Sequence, residues 1–141
     1  MLSQTIDNIS INTNGPIILE ITDIIENWIT INKCYKGILH LYIMHTSASL
    51  LIQENADPSV LKDLLEFYKN LAPIADNYKH KTEGPDDMPA HIKSSLTNTS
   101  LTLSIQNEGL ILGTWQGIYL FEHRWKRHLR KLNLHYIGEK S

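Results

Sequence analysis

The chain has 141 residues, a formal net charge of −2, an apolar fraction of 42% and a charged fraction of 20%. These values are typical of a single soluble globular domain over residues 1–141 and argue against nucleic acid as a partner. The only cysteine, Cys34, excludes an intrachain disulfide and a thiolate metal cluster. The amino terminus lacks the pattern of a secretory signal, and no apolar run approaches the roughly 20 residues of a bilayer span. We therefore expect a cytoplasmic protein without a membrane partner.

The first part of the chain combines strand and helix patterns. Apolar residues at alternate positions predict a strand over residues 5–12, which the turn pair at residues 14–15 ends. A helix with a packed apolar face is predicted to start near Thr22. The β-rich run at residues 38–44 predicts a buried strand, interrupted by the polar residues 45–47 before an extended pattern resumes.

The rest of the chain predicts two helices and then paired strands. Asp57, followed by proline, predicts a capped helix start, and Pro89 suits the first turn of a third helix that ends near Asn98. The second helix is expected to bury an apolar face: Val60, Leu61, Leu64, Leu65, Tyr68 and Leu71. The period then changes to two, with a turn at residues 107–109 and two further strands, the last near residues 129–137. This order predicts an α+β fold with a mainly antiparallel sheet.

Ionisable groups are concentrated in one segment between the second and third helices, HKTEGPDDMPAHIK. His80 and His91 lie in it, and His45 closes the buried strand, so all three lie at element boundaries where distant segments meet over clefts. Three protein ligands with one open position form a catalytic zinc site. We therefore expect these histidines to hold a divalent metal ion, with zinc as the expected metal. Three carboxylates would orient the histidines or serve in acid–base chemistry: Glu83, Asp86 and Asp87.

The histidine spacing matches no standard zinc motif, so other interpretations stay open. In one, the segment is a solvated acidic loop, His91 lies on an exposed helix face and His45 is hydrogen-bonded at a strand end. Thr46 and Ser47 would instead offer donors to an anionic ligand. The basic run over residues 124–131 is more often a solvated strand edge than a contact for phosphate or nucleic acid.

Three blocks resemble, in order and spacing, the successive signatures of the YjbQ family, also called UPF0047: HTSASLLIQENADPSVLKDL, HKTEGPDDMPAHIKSSL and LILGTWQGIYLFEHR. The resemblance covers nearly the whole chain. It implies an α+β fold built on sandwich-like antiparallel sheets, with two or three helices in the middle of the chain, and assembly as a homotrimer. It also implies that His45, His80 and His91 line one shared pocket in which a divalent metal binds.

The same resemblance implies an activity and further site residues. The family is associated with a secondary thiamine-phosphate synthase activity, a transferase reaction that joins a pyrimidine pyrophosphate to a thiazole phosphate and releases pyrophosphate. A metal together with Lys93 or Arg124 would neutralise the phosphate charge of such substrates. The residues expected in catalysis are Glu83, Asp86, Asp87 and Lys93. Those expected to contact the substrate are Thr46, Ser47, Asn55, Asp57, Trp115, Gln116, Glu122 and Arg124. The alternative is a protein that binds a metal or an anionic metabolite without transforming it.

Overall fold

Three helices and one six-stranded sheet make up the computed structural model, which describes all 141 residues. The helices are α1 (Thr22–Ile31), α2 (Pro58–Leu71) and α3 (Asp87–Leu96). The strands are β1 (Ser3–Glu20), β2 (Cys34–Ile43), β3 (Ala48–Glu54), β4 (Ser100–Gln106), β5 (Gly109–Leu110) and β6 (Gln116–Lys140). All strand pairs are antiparallel, so the predicted α+β class is confirmed. None of the three helices is both long and apolar enough to cross a lipid bilayer.

The 25-residue strand β6 forms the centre of the sheet. The strand order is β1-β6-β2-β4-β5, and β3 also pairs with β6. The sequence pattern predicts two separate strands here, and this is wrong, because the chain continues through a bulge at Lys126, whose φ is 64°. The basic run over residues 124–131 consequently lies in a central strand. Within this run the strand pairs with β1 on one side only, because pairing with β3 ends at Glu122 and pairing with β2 begins at Leu132, so the prediction of a solvated edge holds locally.

Strand β1 also continues where the sequence predicts a turn. The pair at residues 14–15 is part of β1, and the pairing register with β6 shifts between Gly15 and Ile17. A side chain at Gly15 would come within 2.6 Å of the backbone oxygen of Arg124, so only glycine allows the two strands to approach this closely. The two irregularities lie opposite each other and bend the sheet beside Glu122 and Arg124.

The main core lies between α1 and the inner face of the sheet. Helix α1 starts at Thr22 as predicted and buries Ile25, Trp28 and Ile29 against sheet residues such as Leu134. The indole nitrogen of Trp28 donates to the carboxylate of Asp7 at 2.9 Å, so this large side chain is packed without leaving its donor unpaired.

Helix α2 packs less completely, on the opposite face of the sheet. Asp57 caps it as predicted, accepting a hydrogen bond from the Ser59 N–H at 2.9 Å. Its apolar side chains lie over Ile18, Tyr119 and Phe121. However, no residue of α2 is fully buried, and Leu71 is 50% exposed. The prediction of a buried apolar face is therefore wrong in degree, because the helix covers the sheet only partly.

Candidate metal centre

One guanidinium group fastens the segment before α3 to the sheet. Arg124 Nε donates to Asp86 Oδ2 at 2.9 Å, and its Nη2 donates to the carbonyl of Glu83 at 2.7 Å. Its Nη1 lies 2.9 Å from Asp87 Oδ1. The backbone N–H of Trp125 adds a second donor to Asp86 Oδ2 at 2.8 Å. These contacts fix the loop and the first residue of α3 against β6.

Two imidazoles and one carboxylate meet where this loop enters α3. Nε2 of His80 lies 2.5 Å from Asp87 Oδ2, and Nε2 of His91 lies 3.1 Å from the same oxygen. The potential ligand atoms of the three residues all lie within 4.8 Å of one another. Asp87 and His91 are four residues apart on α3 and so share one helix face. We call His80, Asp87 and His91 the metal cluster, because two histidines and a carboxylate are a donor set that suits zinc.

A backbone carbonyl sets the hydrogen position on His91. Nδ1 of His91 lies 2.8 Å from the carbonyl oxygen of Thr46, which can only accept, so Nδ1 carries the hydrogen. In the neutral ring the lone pair of Nε2 then points toward Asp87 and His80. Without a cation, His91 could donate to Asp87 only as an imidazolium. A divalent metal ion between the three ligand atoms would accept the Nε2 lone pair of the neutral ring, so His91 would need no second proton. The residues present therefore fit a divalent metal.

The carboxylates beside the metal cluster are held in the ionised form. Burial alone would raise the pKa of Asp87, but the hydrogen bond from His80 and the charges of His91 and Arg124 outweigh it and lower the pKa. Burial of Asp86 is likewise outweighed by its hydrogen bonds from Arg124, and its pKa is lowered. Ionised, fully engaged carboxylates suit the roles of metal ligand and anchor better than that of general base.

The metal cluster borders a polar cleft of about 550 Å³. The cleft lies between the end of β2, the start of α3 and the Arg124 side chain. It is lined by nine residues: Tyr42, Met44, His45, Thr46, Ser47, Glu83, Asp87, His91 and Arg124. The predicted contacts Thr46, Ser47 and Arg124 are thus brought to one site with Glu83, which was predicted to be catalytic, and with two members of the metal cluster.

His45 lines the same cleft but is not part of the metal cluster. Its Nε2 accepts a hydrogen bond from the backbone N–H of Lys131 at 2.8 Å, so that nitrogen is not free for an ion. Burial, followed by the charge of Arg130, lowers the pKa of His45 and keeps the ring neutral. The structure therefore brings His80 and His91 together with Asp87, and it does not bring Nε2 of His45 to the same point. Asp87 is expected from the sequence to orient a histidine or to act in catalysis, and its distance of four residues from His91 is the sequence signal that the two side chains can meet.

Glu122 is structural in this arrangement. Its carboxylate is fully buried and accepts from Arg130 at 2.6 and 2.5 Å, from Thr13 at 2.6 Å and from the Arg124 N–H at 3.0 Å. Burial would raise the pKa of Glu122, but the bonds from Arg130 and Thr13 lower it. The sequence predicts that Glu122 contacts the substrate. This expectation is corrected, because Glu122 does not line the cleft.

Four other predicted contacts lie at the far end of β3 and β6. Glu54 pairs with Gln116, whereas Ala48 pairs with Glu122 next to the metal cluster. Six residues of extended strand separate these positions, which is roughly 20 Å. The four residues are therefore not brought to the cleft of their own chain: Asn55, Asp57, Trp115 and Gln116.

Lys93 lies beside another cavity rather than in the cleft. This cavity, which we call the α2 cavity, has a volume of about 450 Å³ beneath α2, and its lining includes Leu65, Tyr68, Phe121 and Trp125. The sequence predicts that Lys93 meets the phosphate of a substrate bound at the metal. Its position beside the α2 cavity does not allow this contact within one chain.

Sequence reasoning also missed a buried histidine. His123 is buried, with Nε2 2.9 Å from the hydroxyl of Ser49 and no partner for Nδ1. Burial, assisted by the charge of Lys93, lowers its pKa to about 3. The ring is therefore neutral and packs against Phe121, with the ring centroids 4.1 Å apart.

Comparisons with known proteins identify one family for this chain. The family model described as "UPF0047 protein YjbQ-like" matches residues 7–139. The UPF0047 protein sll1880 of Synechocystis sp. is 54% identical over 104 residues, which are 73% of this chain and 71% of that protein. A YjbQ/UPF0047 family crystal structure from Clostridium acetobutylicum is 34% identical with a TM-score of 0.83, covering 92% of this chain and 98% of that one. A protein of unknown function from Sulfolobus solfataricus is 21% identical with a TM-score of 0.87, over 99% and 100% of the two chains, and so supports the fold.

Proposed function

The chain belongs to the YjbQ-like UPF0047 family, and from that premise we propose that it is a metal-dependent enzyme acting on a small phosphorylated molecule. The observation that carries this proposal is the convergence of His80, Asp87 and His91 within 4.8 Å at the edge of an open polar cleft. Zinc is the metal proposed, because imidazole nitrogen and carboxylate oxygen are both ligands that zinc accepts.

Each residue of the site has a proposed task. His80, Asp87 and His91 would hold the metal, which when bound supplies positive charge to polarise a phosphoryl oxygen. Arg124 holds Asp87 in place through Oδ1 while the other oxygen of the carboxylate stays with the histidines. The Thr46 carbonyl keeps His91 in the tautomer that a metal requires.

The concrete candidate reaction is the formation of thiamine phosphate. In this reaction the bond between the pyrimidine methylene carbon and the pyrophosphate oxygen breaks, and a bond from that carbon to the thiazole nitrogen forms. No general base is required to activate the thiazole nitrogen, which is compatible with carboxylates that are ionised and engaged. Thr46 and Ser47 line the cleft, and their hydroxyl groups would donate to phosphate oxygens.

Pyrophosphate release tests this candidate reaction. The purified, zinc-loaded protein is incubated with the pyrimidine pyrophosphate and the thiazole phosphate, and both pyrophosphate and thiamine phosphate are quantified. We expect stoichiometric formation of both products, their loss in His91→Ala and their retention in Asn55→Ala, whose residue lies far from the cleft. Substrates that bind without yielding either product would contradict the proposed reaction.

The second candidate function is non-catalytic binding of an anionic metabolite at the metal. It is favoured by one observation, which is that the carboxylates of Asp86 and Asp87 are both paired with Arg124 and so are not free to act as a general base. Thermal stabilisation by a phosphorylated ligand in the presence of zinc, without turnover, would support this function. Stabilisation that is accompanied by product formation would reject it.

We also propose that the chain assembles as a homotrimer through the outer face of the sheet. This face is opposite the core and carries a patch of apolar side chains between 44% and 62% exposed: Ile6, Ile38, Tyr42 and Ile137. Ile38 pairs directly with Ile137, so the patch is continuous across β2 and β6. Light scattering should give a mass of about 49 kDa, three times 16.2 kDa. Ile137→Glu should dissociate the assembly, and a wild-type monomer would contradict the proposal.

A further inference from the structure

The α2 cavity is a consequence of the incomplete packing of α2. The helix has an amphipathic sequence, yet none of its residues is fully buried. The space left between the helix and the sheet amounts to about 450 Å³, which is within the usual range of small-molecule sites. The α2 cavity opens to solvent, and a partly apolar cavity of this size at a protein surface is a candidate ligand-binding site.

The walls of the α2 cavity are suited to an apolar body. The rings of Tyr68 and Phe121 meet edge to face with centroids 5.4 Å apart. Leu65 and Ile74 extend this apolar wall, and Trp125, 43% exposed, lies at the surface. An aromatic or aliphatic group entering the cavity would be surrounded mainly by carbon.

The charges around the α2 cavity favour an anionic head group. Three lysines, Lys62, Lys69 and Lys93, face it together with a single carboxylate, Glu66. Lys93 is only partly exposed, and its ammonium group takes part in no salt bridge. A partly buried cation without a partner is unfavourable, and an anion placed beside it would compensate the loss of hydration.

We propose that the α2 cavity binds a small amphipathic organic acid, with the anionic head beside Lys93 and the apolar body against Tyr68 and Phe121. This site is separate from the metal cleft and is independent of the function proposed for the metal. Lys93 acts in it as a binding residue.

Two fluorescent probes that differ in charge test the proposal. Anilinonaphthalene sulfonate carries one negative charge, whereas N-phenylnaphthylamine has a similar aromatic body and no charge. Both are titrated into the metal-free, folded protein, so that the result does not depend on the metal site. We expect saturable binding of the anionic probe at one molecule per chain. Lys93→Met, which keeps the unbranched side chain and removes only the ammonium group, should weaken binding of the anionic probe about tenfold and leave binding of the neutral probe unchanged.

Three controls make the outcome unambiguous. Lys79→Met removes an exposed charge that does not line the α2 cavity and should leave both probes unaffected. Leu65→Trp should fill the cavity and abolish binding of both probes. Cooperative urea unfolding of every variant excludes probe binding to a loosened state. Absence of saturable binding to the wild type, or equal binding of the anionic probe by Lys93→Met, would overturn the proposal.

Discussion

Replacing Glu122 by glutamine tests whether this residue is a structural support or a ligand contact. Glu122 is fully buried and Arg130 is 4% exposed, so the substitution leaves a guanidinium group buried without its counter-charge. Removing one partner of a buried ion pair typically costs about 3–5 kcal/mol. The amide oxygen of glutamine still accepts one hydrogen bond, so we expect the lower end, about 3 kcal/mol.

The corresponding change in melting temperature follows from the length of the chain. Unfolding entropy is about 2.1 cal/mol/K per residue, so 141 residues give roughly 0.3 kcal/mol/K. A loss of about 3 kcal/mol then lowers the melting temperature by roughly 10 °C. Because the folded pKa of Glu122 is below its ordinary value of 4.5, its stabilisation is present above pH 4.5 and is lost as the pH falls through the folded pKa. The difference between wild type and variant should therefore shrink in acid.

Calorimetry and urea denaturation at several pH values measure these effects. The double variant Glu122→Gln/Arg130→Met removes the stranded charge and should be more stable than Glu122→Gln alone by more than about 1 kcal/mol. Glu26→Gln, on the exposed side of α1, should change stability by less than about 0.5 kcal/mol. A Glu122→Gln protein that melts like the wild type but no longer binds ligand would refute the reasoning and restore Glu122 as a substrate contact.

Three further predictions concern the surroundings of the site. Arg124→Gln frees Asp87 and its loop, so zinc affinity measured by titration calorimetry should fall about 10- to 100-fold; unchanged affinity would deny Arg124 a positioning role. Asp57→Ala removes the α2 cap and should lower the melting temperature by a few degrees without changing zinc affinity, whereas loss of ligand binding would support its predicted substrate contact. The wild type should lose stability as the pH falls from 6.5 toward 3, because unfolded imidazole binds a proton that buried His123 does not. His123→Phe should show a shallower acid loss over this range in urea denaturation, and identical slopes would contradict the assignment.

Local signals in the sequence predicted the helices well. The start of α1 at Thr22 and the cap of α2 at Asp57 depend on residues adjacent in the chain, and both predictions are confirmed. The continuity of β6 could not be predicted in the same way. Residues 117–123 are buried on both faces and show no alternation, and the bulge at Lys126 then resets the pattern. The partial burial of α2 depends on the distance between helix and sheet, which no periodicity encodes.

The site was predictable in composition but not in geometry. His80 and His91 lie at the two ends of one short segment, and the loop that leads into α3 brings their rings together. The orientation of the His45 ring depends instead on the irregular backbone after β2. There, Nε2 of His45 accepts a hydrogen bond from the Lys131 N–H. The burial of Glu122 could not be predicted either, because its partner Arg130 lies eight residues away, across the β6 bulge.

Zinc titration of the metal-free protein tests the metal cluster most directly. Isothermal calorimetry compares the wild type with His80→Ala, Asp87→Asn, His91→Ala and His45→Ala. We predict one zinc ion per chain in the wild type, a loss of at least about tenfold in affinity (about 1.4 kcal/mol) for each cluster variant, and near wild-type affinity for His45→Ala. A wild type that binds no zinc, or a His45→Ala variant as impaired as His91→Ala, would contradict a site built from two histidines and one aspartate.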